Sequence, residues 1–157
     1  MKPKVYLETT IPSYLAARPT RDLIVAAHQE ITRHWWLTQR GRFDLFISQL
    51  VINEAQVGDH TAATERLRLL EGIPELSVSE EVASLAESLL AGSVFPPRAA
   101  TDAAHVAVAA VHTVDFLMTW NCTHLANAMM ADRIREACAA AGYRCPLICT
   151  PEELLEE

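Results

Sequence analysis

Four side chains with oxygen atoms lie at or near the ends of predicted strands, where an active site could form. Glu8 closes the first predicted strand, Glu54 lies in the helix after the second, and Asn121 directly follows the fourth. Asp102 lies in the first turn of the alanine-rich helix that leads into the fourth strand. Carboxylates that converge on one cleft repel each other unless a cation lies among them, and oxygen ligands select hard ions such as Mg²⁺ or Mn²⁺. The four residues therefore predict metal-assisted hydrolysis of a phosphodiester.

Each of the four also has an ordinary structural explanation. Glu54 could be a solvated helix residue, and Asp102 could complement the positive end of its helix dipole. Asn121 could cap the helix predicted to follow it. Glu8 is the hardest to explain in this way, because a carboxylate at the end of a buried strand is costly unless something pairs with it. The prediction therefore depends on whether the fold brings these side chains together.

Short β-prone runs alternate with longer helical segments along the chain. The predicted strands are KVYLE, FDLFIS, ELSVS, VDFLMTW and PLICT. The predicted helices cover residues 21–39, 49–59, 61–72, 79–92, 99–113 and 122–142, and a capping box at Thr150, Pro151 and Glu153 starts a last one. This alternation predicts an α/β fold with a mainly parallel central sheet covered by helices on both faces. In such sheets the site lies outside the carboxyl ends of the strands, where the four candidates are predicted.

The composition favours one soluble domain. A length of 157 residues suits a single domain, residues 1–157. No stretch is both long enough and free enough of charge to cross a bilayer, and the N-terminus lacks the pattern of a signal peptide, so we expect a cytoplasmic protein without membrane association. The net charge of −7 argues against binding nucleic acid by phosphate neutralisation alone. It is compatible with a nuclease that has an acidic metal site, or with a protein that binds a basic partner.

The cysteines argue against a zinc site. Cys122, Cys138, Cys145 and Cys149 all lie in the last quarter of the chain and form no CxxC motif. Together with His124 they match no familiar structural zinc spacing. We therefore expect reduced, mostly buried thiols.

Four segments, taken in order, resemble the PIN-domain family, which includes the VapC-type toxin ribonucleases of bacterial toxin–antitoxin pairs. They are VYLETTIPSYL, a strand followed by a helix that carries NE, TDAAHVAVA and FLMTWNCTHLAN, and the similarity runs from Lys4 to about Pro151. No single motif is specific, but their order and spacing together are. The resemblance implies a three-layer α/β/α PIN-like fold, acidic residues that bind Mg²⁺ or Mn²⁺, and cleavage of RNA.

The resemblance assigns three acidic ligands to this chain. Glu8 corresponds to the first family aspartate, with Thr10 at the hydroxyl position that follows it, Glu54 to the helix glutamate and Asp102 to the third acid. Glu8 is longer than aspartate by one methylene, which moves the carboxylate by roughly 1.5 Å. Because a displacement of about 1 Å can cost roughly a hundredfold in rate, we expect altered metal geometry or reduced activity at this position.

The fourth acidic position of the family departs further. It corresponds to Asn121, with Thr119 two residues before it. A neutral amide oxygen can ligate a hard ion, but it attracts the ion less than a carboxylate does. The resemblance therefore implies three carboxylate ligands, with Asn121 completing the shell directly or through water.

Five more residues lie near the predicted site, and four of them, all except His105, are candidates for supporting roles or for RNA contacts. His105 follows the third acid by one helical turn, and a histidine on a helix face is more often structural than catalytic. His124 and Asn127 are predicted to share a face of the last long helix, where they could contact RNA or order a metal-bound water, or serve only in capping and packing. Arg18 and Arg21 are the preferred cations for phosphate contacts, with a solvated surface as the alternative.

Three functional hypotheses follow. The first is a Mg²⁺- or Mn²⁺-dependent endoribonuclease, the toxin component of a toxin–antitoxin pair, with an antitoxin partner and a homodimer implied by analogy. The second is a PIN-like fold that has lost efficient catalysis and binds RNA or protein. The third is a phospho-acceptor or phosphatase domain with one acid as nucleophile. The absence of a second acid beside Glu8 and of a lysine near PLICT argues against this third hypothesis.

Overall fold

Five short strands form one parallel sheet in the computed structural model, which describes residues 1–156. The strands are β1 (Lys4–Leu7), β2 (Asp44–Ser48), β3 (Glu75–Leu76), β4 (Phe116–Met118) and β5 (Leu147–Cys149). Their order across the sheet is β3-β2-β1-β4-β5, and every neighbouring pair is parallel. The prediction of an α/β fold with a mainly parallel sheet is confirmed, and each predicted strand is present in a shorter form.

Within residues 1–156, seven α-helices flank this sheet. They are α1 (Thr10–Ala16), α2 (Leu23–Thr38), α3 (Gln49–Ala55), α4 (His60–Leu70), α5 (Glu80–Ala91), α6 (Ala100–Val111) and α7 (Ala128–Ala140). Helix α1 packs against α2 and α4, and α5 packs against α6 and α7, in a three-layer α/β/α arrangement. None of the helices in this part of the chain is long and apolar enough to cross a membrane.

The central strand is covered on both faces. Val5, Tyr6 and Leu7 are all fully buried, and successive residues of a strand point to opposite faces of the sheet. Helices must therefore pack on both sides of β1, as expected for a parallel sheet. The burial continues past the end of the strand, because Glu8 is only 4% exposed.

The direction of the strand order reverses between β1 and β4. From β1 the chain builds outward through β2 and β3, and then returns to the other side of β1 to add β4 and β5. Such a switch point leaves a crevice outside the carboxyl ends of the two central strands, where open α/β sheets bind ligands. Leu7 pairs with Met118 in register, so Glu8 and Thr119 come next to each other at this edge.

Capping side chains determine where several helices begin. Asp22 accepts two backbone N–H groups at the start of α2, and Ser79 accepts one at the start of α5. The capping box predicted at Thr150 and Glu153 is confirmed, although the segment that it starts, Pro151–Leu154, is a 3₁₀ helix. Local sequence signals therefore place these starts within a residue or two.

The helix predicted over residues 122–142 is wrong at its start. Helix α7 begins at Ala128, and Asn127 is its N-cap. The side-chain oxygen of Asn121 accepts two backbone N–H groups of the residues that follow it, so it caps a turn before the helix. His124 therefore lies in this turn. The prediction that it shares a helical face with Asn127 is wrong.

Candidate metal centre

Glu8 is held at the carboxyl end of β1 by three hydrogen bonds to one of its oxygens. Its Oε1 accepts the backbone N–H of Thr10 at 3.0 Å, the Thr10 hydroxyl at 2.5 Å and the Thr119 hydroxyl at 2.7 Å. Within residues 1–156, Oε2 accepts no hydrogen bond and is not sealed from solvent. One oxygen of this buried carboxylate is therefore fixed, and the other is free to bind a ligand.

The same two threonines tie the segment after β4 to Glu8. The Thr10 hydroxyl accepts the backbone N–H of Trp120 at 2.8 Å, and the Thr119 hydroxyl accepts that of Asn121 at 2.9 Å. Each hydroxyl thus donates to Glu8 and accepts from the backbone, which fixes its orientation. The structure therefore brings Thr10 and Thr119, both predicted as supporting residues, into direct contact with Glu8.

Glu54 reaches the same edge from α3. This helix begins directly after β2, so Glu54 lies less than two turns from the end of that strand. Its Oε1 accepts a hydrogen bond from the Thr9 hydroxyl at 2.6 Å and lies 2.6 Å from Nε2 of His105. His105 comes from α6 and is fully buried. Glu54 is thus half-buried in a hydrogen-bonded position and is not a freely solvated residue.

Glu8, Glu54 and His105 together form a group that could hold a metal ion. Each offers one ligand atom, and these atoms all lie within 4.8 Å of one another; no other such group occurs in residues 1–156. The three side chains come from the residue after β1, from α3 and from α6, which meet beside the switch point of the sheet. Two carboxylate oxygens and one imidazole nitrogen could together ligate a divalent metal ion. We call this group the Glu–Glu–His centre.

A buried phenol and a buried hydroxyl orient the imidazole. The Tyr6 hydroxyl lies 2.7 Å from Nδ1 of His105 and 2.7 Å from the Ser48 hydroxyl. An ionised Glu54 can only accept, so Nε2 of His105 carries a proton here; when the ring is neutral, Nδ1 accepts from the phenol. If Nε2 binds a metal ion, the proton must lie on Nδ1, and the hydroxyls can reverse so that Nδ1 donates to Tyr6 and Tyr6 to Ser48. The pair can therefore support the imidazole in either form.

The charges around the centre set two protonation states. Burial opposes ionisation of Glu54, but the hydrogen bond and charge of His105 and the hydrogen bond from Thr9 outweigh it, so the pKa of Glu54 lies below its ordinary value. Burial, opposed by the Ser48 hydrogen bond and reinforced by the negative charges of Glu8 and Glu54, raises the pKa of Tyr6 far above its ordinary value. At neutral pH Glu54 is therefore ionised, and Tyr6 keeps its proton.

Asp102 and Asn121 are not members of the Glu–Glu–His centre that the described residues form. Asp102 is one turn before His105 on α6, and its Oδ2 lies 3.2 Å from Nδ1 of His124; both side chains are 18% exposed. The side-chain oxygen of Asn121 faces the turn that it caps, and its backbone connects to Glu8 only through Thr119. Asp102 is therefore linked to the centre only along α6, and Asn121 only through the Thr119 hydroxyl.

The remaining predicted residues have local contacts of their own. His124 contacts Asp102, and Asn127 caps α7. Arg21 is exposed. Arg18 is also exposed, and it lines a surface cavity together with acidic residues of the α4 region, Asp59 and Glu65. Within residues 1–156, none of these four side chains is a member of the Glu–Glu–His centre.

Sequence reasoning did not identify His105 as a ligand, nor Tyr6, Ser48 and Thr9 as residues that hold the centre in place. A signal for His105 was present, because it follows Asp102 by three positions and the two share a face of the helix. No comparable signal exists for Tyr6, whose partners His105 and Ser48 lie 99 and 42 positions away along the chain. These contacts exist only once the strands are ordered in the sheet.

Comparison with protein families and curated proteins does not identify the class of this site, so its class is defined by its geometry. No protein-family model and no curated protein sequence matches this chain. The fold and the site define a parallel three-layer α/β/α protein with a candidate metal centre of two carboxylates and one imidazole at the carboxyl edge of its sheet.

Proposed function

We propose that this protein is a metal-dependent phosphodiester hydrolase that cleaves RNA, with Glu8, Glu54 and His105 as the ligands of one divalent ion. The observation that carries the proposal is the convergence of these three side chains at the switch point between β1 and β4. A divalent ion bound there would polarise the phosphodiester and activate a water molecule. The similarity of the sequence to the PIN-domain family supports RNA as the substrate.

The protein holds the ligand atoms in place before any ion binds. Thr10 and Thr119 fix one oxygen of Glu8 and leave the other free. Thr9 holds Glu54, and Tyr6 holds the imidazole. Such preorganisation reduces the cost of arranging the ligands when the ion and the substrate arrive.

Asp102 and Asn121 have outer roles in this proposal. Asp102 lies one helical turn before His105, and Asn121 follows the threonine that holds Glu8. The Asp102 carboxylate can hold a water molecule of a bound ion or a hydroxyl of the substrate, whereas the Asn121 oxygen caps a turn and Asn121 supports the segment that carries Thr119. The Asp102 carboxylate also lies 3.2 Å from Nδ1 of His124, so the two side chains are in contact.

Cleavage of single-stranded RNA in the presence of Mn²⁺ tests the proposal. Glu8→Gln keeps the shape of the side chain and removes its charge, so we expect cleavage to fall by about a hundredfold or more. Asp102→Asn acts outside the centre, and we expect a loss of about tenfold. The Glu8→Gln protein, purified in the same way, also shows how much activity comes from a contaminating ribonuclease. Equal cleavage by wild type and Glu8→Gln would exclude the mechanism.

A second function is supported by the partners that the carboxylates already have. Glu54 contacts His105, Asp102 contacts His124, and Glu8 accepts three hydrogen bonds. Carboxylates that already have protein partners are expected in a module that binds RNA or protein without cleaving it. Calorimetric titration with Mn²⁺ separates the two functions, since the hydrolase binds one ion per chain and the binding module binds none at this site.

The sequence resemblance and the net charge of −7 extend the proposal to a biological context. We propose a cytoplasmic toxin component that forms a homodimer and is inhibited by an antitoxin with a basic segment. Co-expression with the product of a small adjacent reading frame should relieve any growth arrest that the protein causes. Growth arrest that the same product leaves unchanged would argue against this partner.

A further inference from the structure

A second cavity lies between the α5–α6 connection and α7. Its volume is about 450 Å³, and its wall combines apolar and polar side chains. Two arginines and one histidine line it, Arg98 from the connection, Arg133 from α7 and His124 from the turn before α7. No acidic residue of the described chain lines it. The cavity is therefore a local cationic site in a protein with a net charge of −7.

The two guanidinium groups are free to bind an anion. Both arginines are exposed, and neither lies within 4.0 Å of a carboxylate oxygen anywhere in residues 1–156. Arg135, only two positions after Arg133 on α7, instead pairs with Asp132 at 2.6 Å. The difference shows that acids are available on this helix, yet the cations that face the cavity are left unpaired.

Rigid backbone presents both cations. Arg98 follows Pro96 and Pro97, whose rings restrict φ and stiffen the connection. Arg133 lies within the regular helix α7, which packs against α5. Charged groups on stiff elements lose less freedom when they bind a ligand.

One side-chain contact and one turn of α6 link this cavity to the Glu–Glu–His centre. His124 lines the cavity, and its Nδ1 lies 3.2 Å from Asp102. Asp102 in turn lies one turn of α6 before His105, which is about 4.5 Å along the helix axis. A ligand in the cavity would therefore be a near neighbour of a substrate at the centre.

We propose that this cavity binds a phosphate of the RNA strand next to the one that is cleaved, through Arg98 and Arg133. The identity of the ligand as RNA rests on the proposed function. Arginine matches phosphate because its planar fork can donate two parallel hydrogen bonds. Since the net charge disfavours general attraction of nucleic acid, a specific phosphate contact of this kind is needed to hold the strand.

Binding measured without metal tests this proposal separately from cleavage. The probe is a fluorescently labelled single-stranded oligoribonucleotide, and the readout is its anisotropy in EDTA over a range of salt concentrations. We expect Arg98→Ala and Arg133→Ala each to weaken binding by roughly five- to tenfold and to reduce the salt slope by roughly 0.7. Arg135→Ala removes the same charge from another face of α7 and should change binding by less than about twofold.

Three results would overturn the proposal. The first is equal binding by wild type, Arg98→Ala and Arg133→Ala, and the second is no binding by wild type in EDTA. The third is displacement of the RNA by a poly-glutamate peptide at the same concentration of charge, which would indicate an acidic protein partner. None of these results bears on whether the wild-type protein cleaves RNA with Mn²⁺. A failure of cleavage, in turn, does not change how the binding experiment is interpreted.

Discussion

Glu8 is the residue on which the centre depends, and its length matters to the contacts that it makes. Its carboxylate extends past the end of β1 and accepts hydrogen bonds from Thr10 and Thr119 on one oxygen. Aspartate in the same place would withdraw the carboxylate by roughly 1.5 Å. The extra methylene thus matches a site whose anchoring hydroxyls are set for the longer side chain.

We therefore expect Glu8→Asp to weaken the centre. Loss of the anchoring hydrogen bonds should lower the free energy of unfolding by about 1–3 kcal/mol and the Mn²⁺ affinity by about tenfold or more. Urea denaturation and calorimetry measure the two effects. Glu8→Gln is the matched control, because it keeps the length and loses the charge, so its affinity should fall with a smaller loss of stability. Mn²⁺ affinity in Glu8→Asp equal to or above that of wild type would contradict this account.

Tyr6 is a positioning residue for His105. Tyr6→Phe removes the hydroxyl that lies between His105 and Ser48 and leaves both without their buried partner. We expect a loss of about 1–2 kcal/mol in stability and of about tenfold in Mn²⁺ affinity. Tyr14→Phe makes the same chemical change at a half-buried phenol and should affect neither quantity strongly. A Tyr6→Phe protein that is less stable but binds Mn²⁺ like wild type would assign Tyr6 to stability alone.

Helices α6 and α7 end in the same motif with different residues at its critical position. Thr113 follows α6 with φ of 56°, and Gly142 follows α7 with φ of 89°. In each case the N–H of this residue and of the next one bond to carbonyls of the last helical turn, in the pattern of a Schellman motif. The left-handed conformation suits glycine, whereas it is strained for a β-branched residue.

Thr113→Gly should therefore stabilise the protein. Relief of the strained φ exceeds the extra entropy of a glycine in the unfolded chain, so we expect a gain of about 0.5–1 kcal/mol in the free energy of unfolding. Gly142→Ala is the converse control and should cost about 1 kcal/mol or more. Thermal denaturation compares the two variants with wild type. A destabilised Thr113→Gly would show that the threonine side chain contributes more than its strained backbone costs.

The candidate site lies at the carboxyl edge of the sheet, and a different set of contacts stabilises the amino edge. At the amino end of the strands, Asp115 accepts the backbone N–H of Lys4 at 2.8 Å and lies 3.2 Å from a guanidinium nitrogen of Arg144. These contacts join the start of β1 to the segment before β4. The Lys4 hydrogen bond, opposed by burial and aided by Arg144, lowers the pKa of Asp115 below its ordinary value of 3.8.

The lowered pKa gives a pH-dependent contribution to stability. Because the folded-state pKa lies below the unfolded value, the contribution is present above about pH 4 and is lost as the pH falls through the folded pKa. We expect Asp115→Asn to cost about 1 kcal/mol at neutral pH, a value that already allows for solvent screening of a half-exposed group, and less as the solution is acidified. Urea denaturation at several pH values measures this. A stability difference that stays constant down to pH 2 would exclude the carboxylate as its cause, and Mn²⁺ binding at neutral pH should not change.

Much of the architecture was predictable because its signals are local. The alternation of strands and helices follows from the periodicity of apolar residues, and the parallel sheet follows from the alternation. The position of Glu8 at the end of a buried strand was predictable for the same reason. The start of α7 was not, because Asn121 and Asn127 are both good caps, and only the packed structure shows which one begins the helix.

The membership of the centre was decided by the tertiary structure. Thr119 reaches Glu8 across 111 positions and His105 reaches Glu54 across 51, distances along the chain that only the strand order β3-β2-β1-β4-β5 can close. Asp102 and His105 share a helix face, so the local pattern could not say which of them would contact Glu54. The position of α6 against the sheet places His105 against Glu54 and leaves Asp102 with His124. Side-chain identity and local periodicity are written in the sequence, whereas contacts between distant segments depend on how the helices and strands pack.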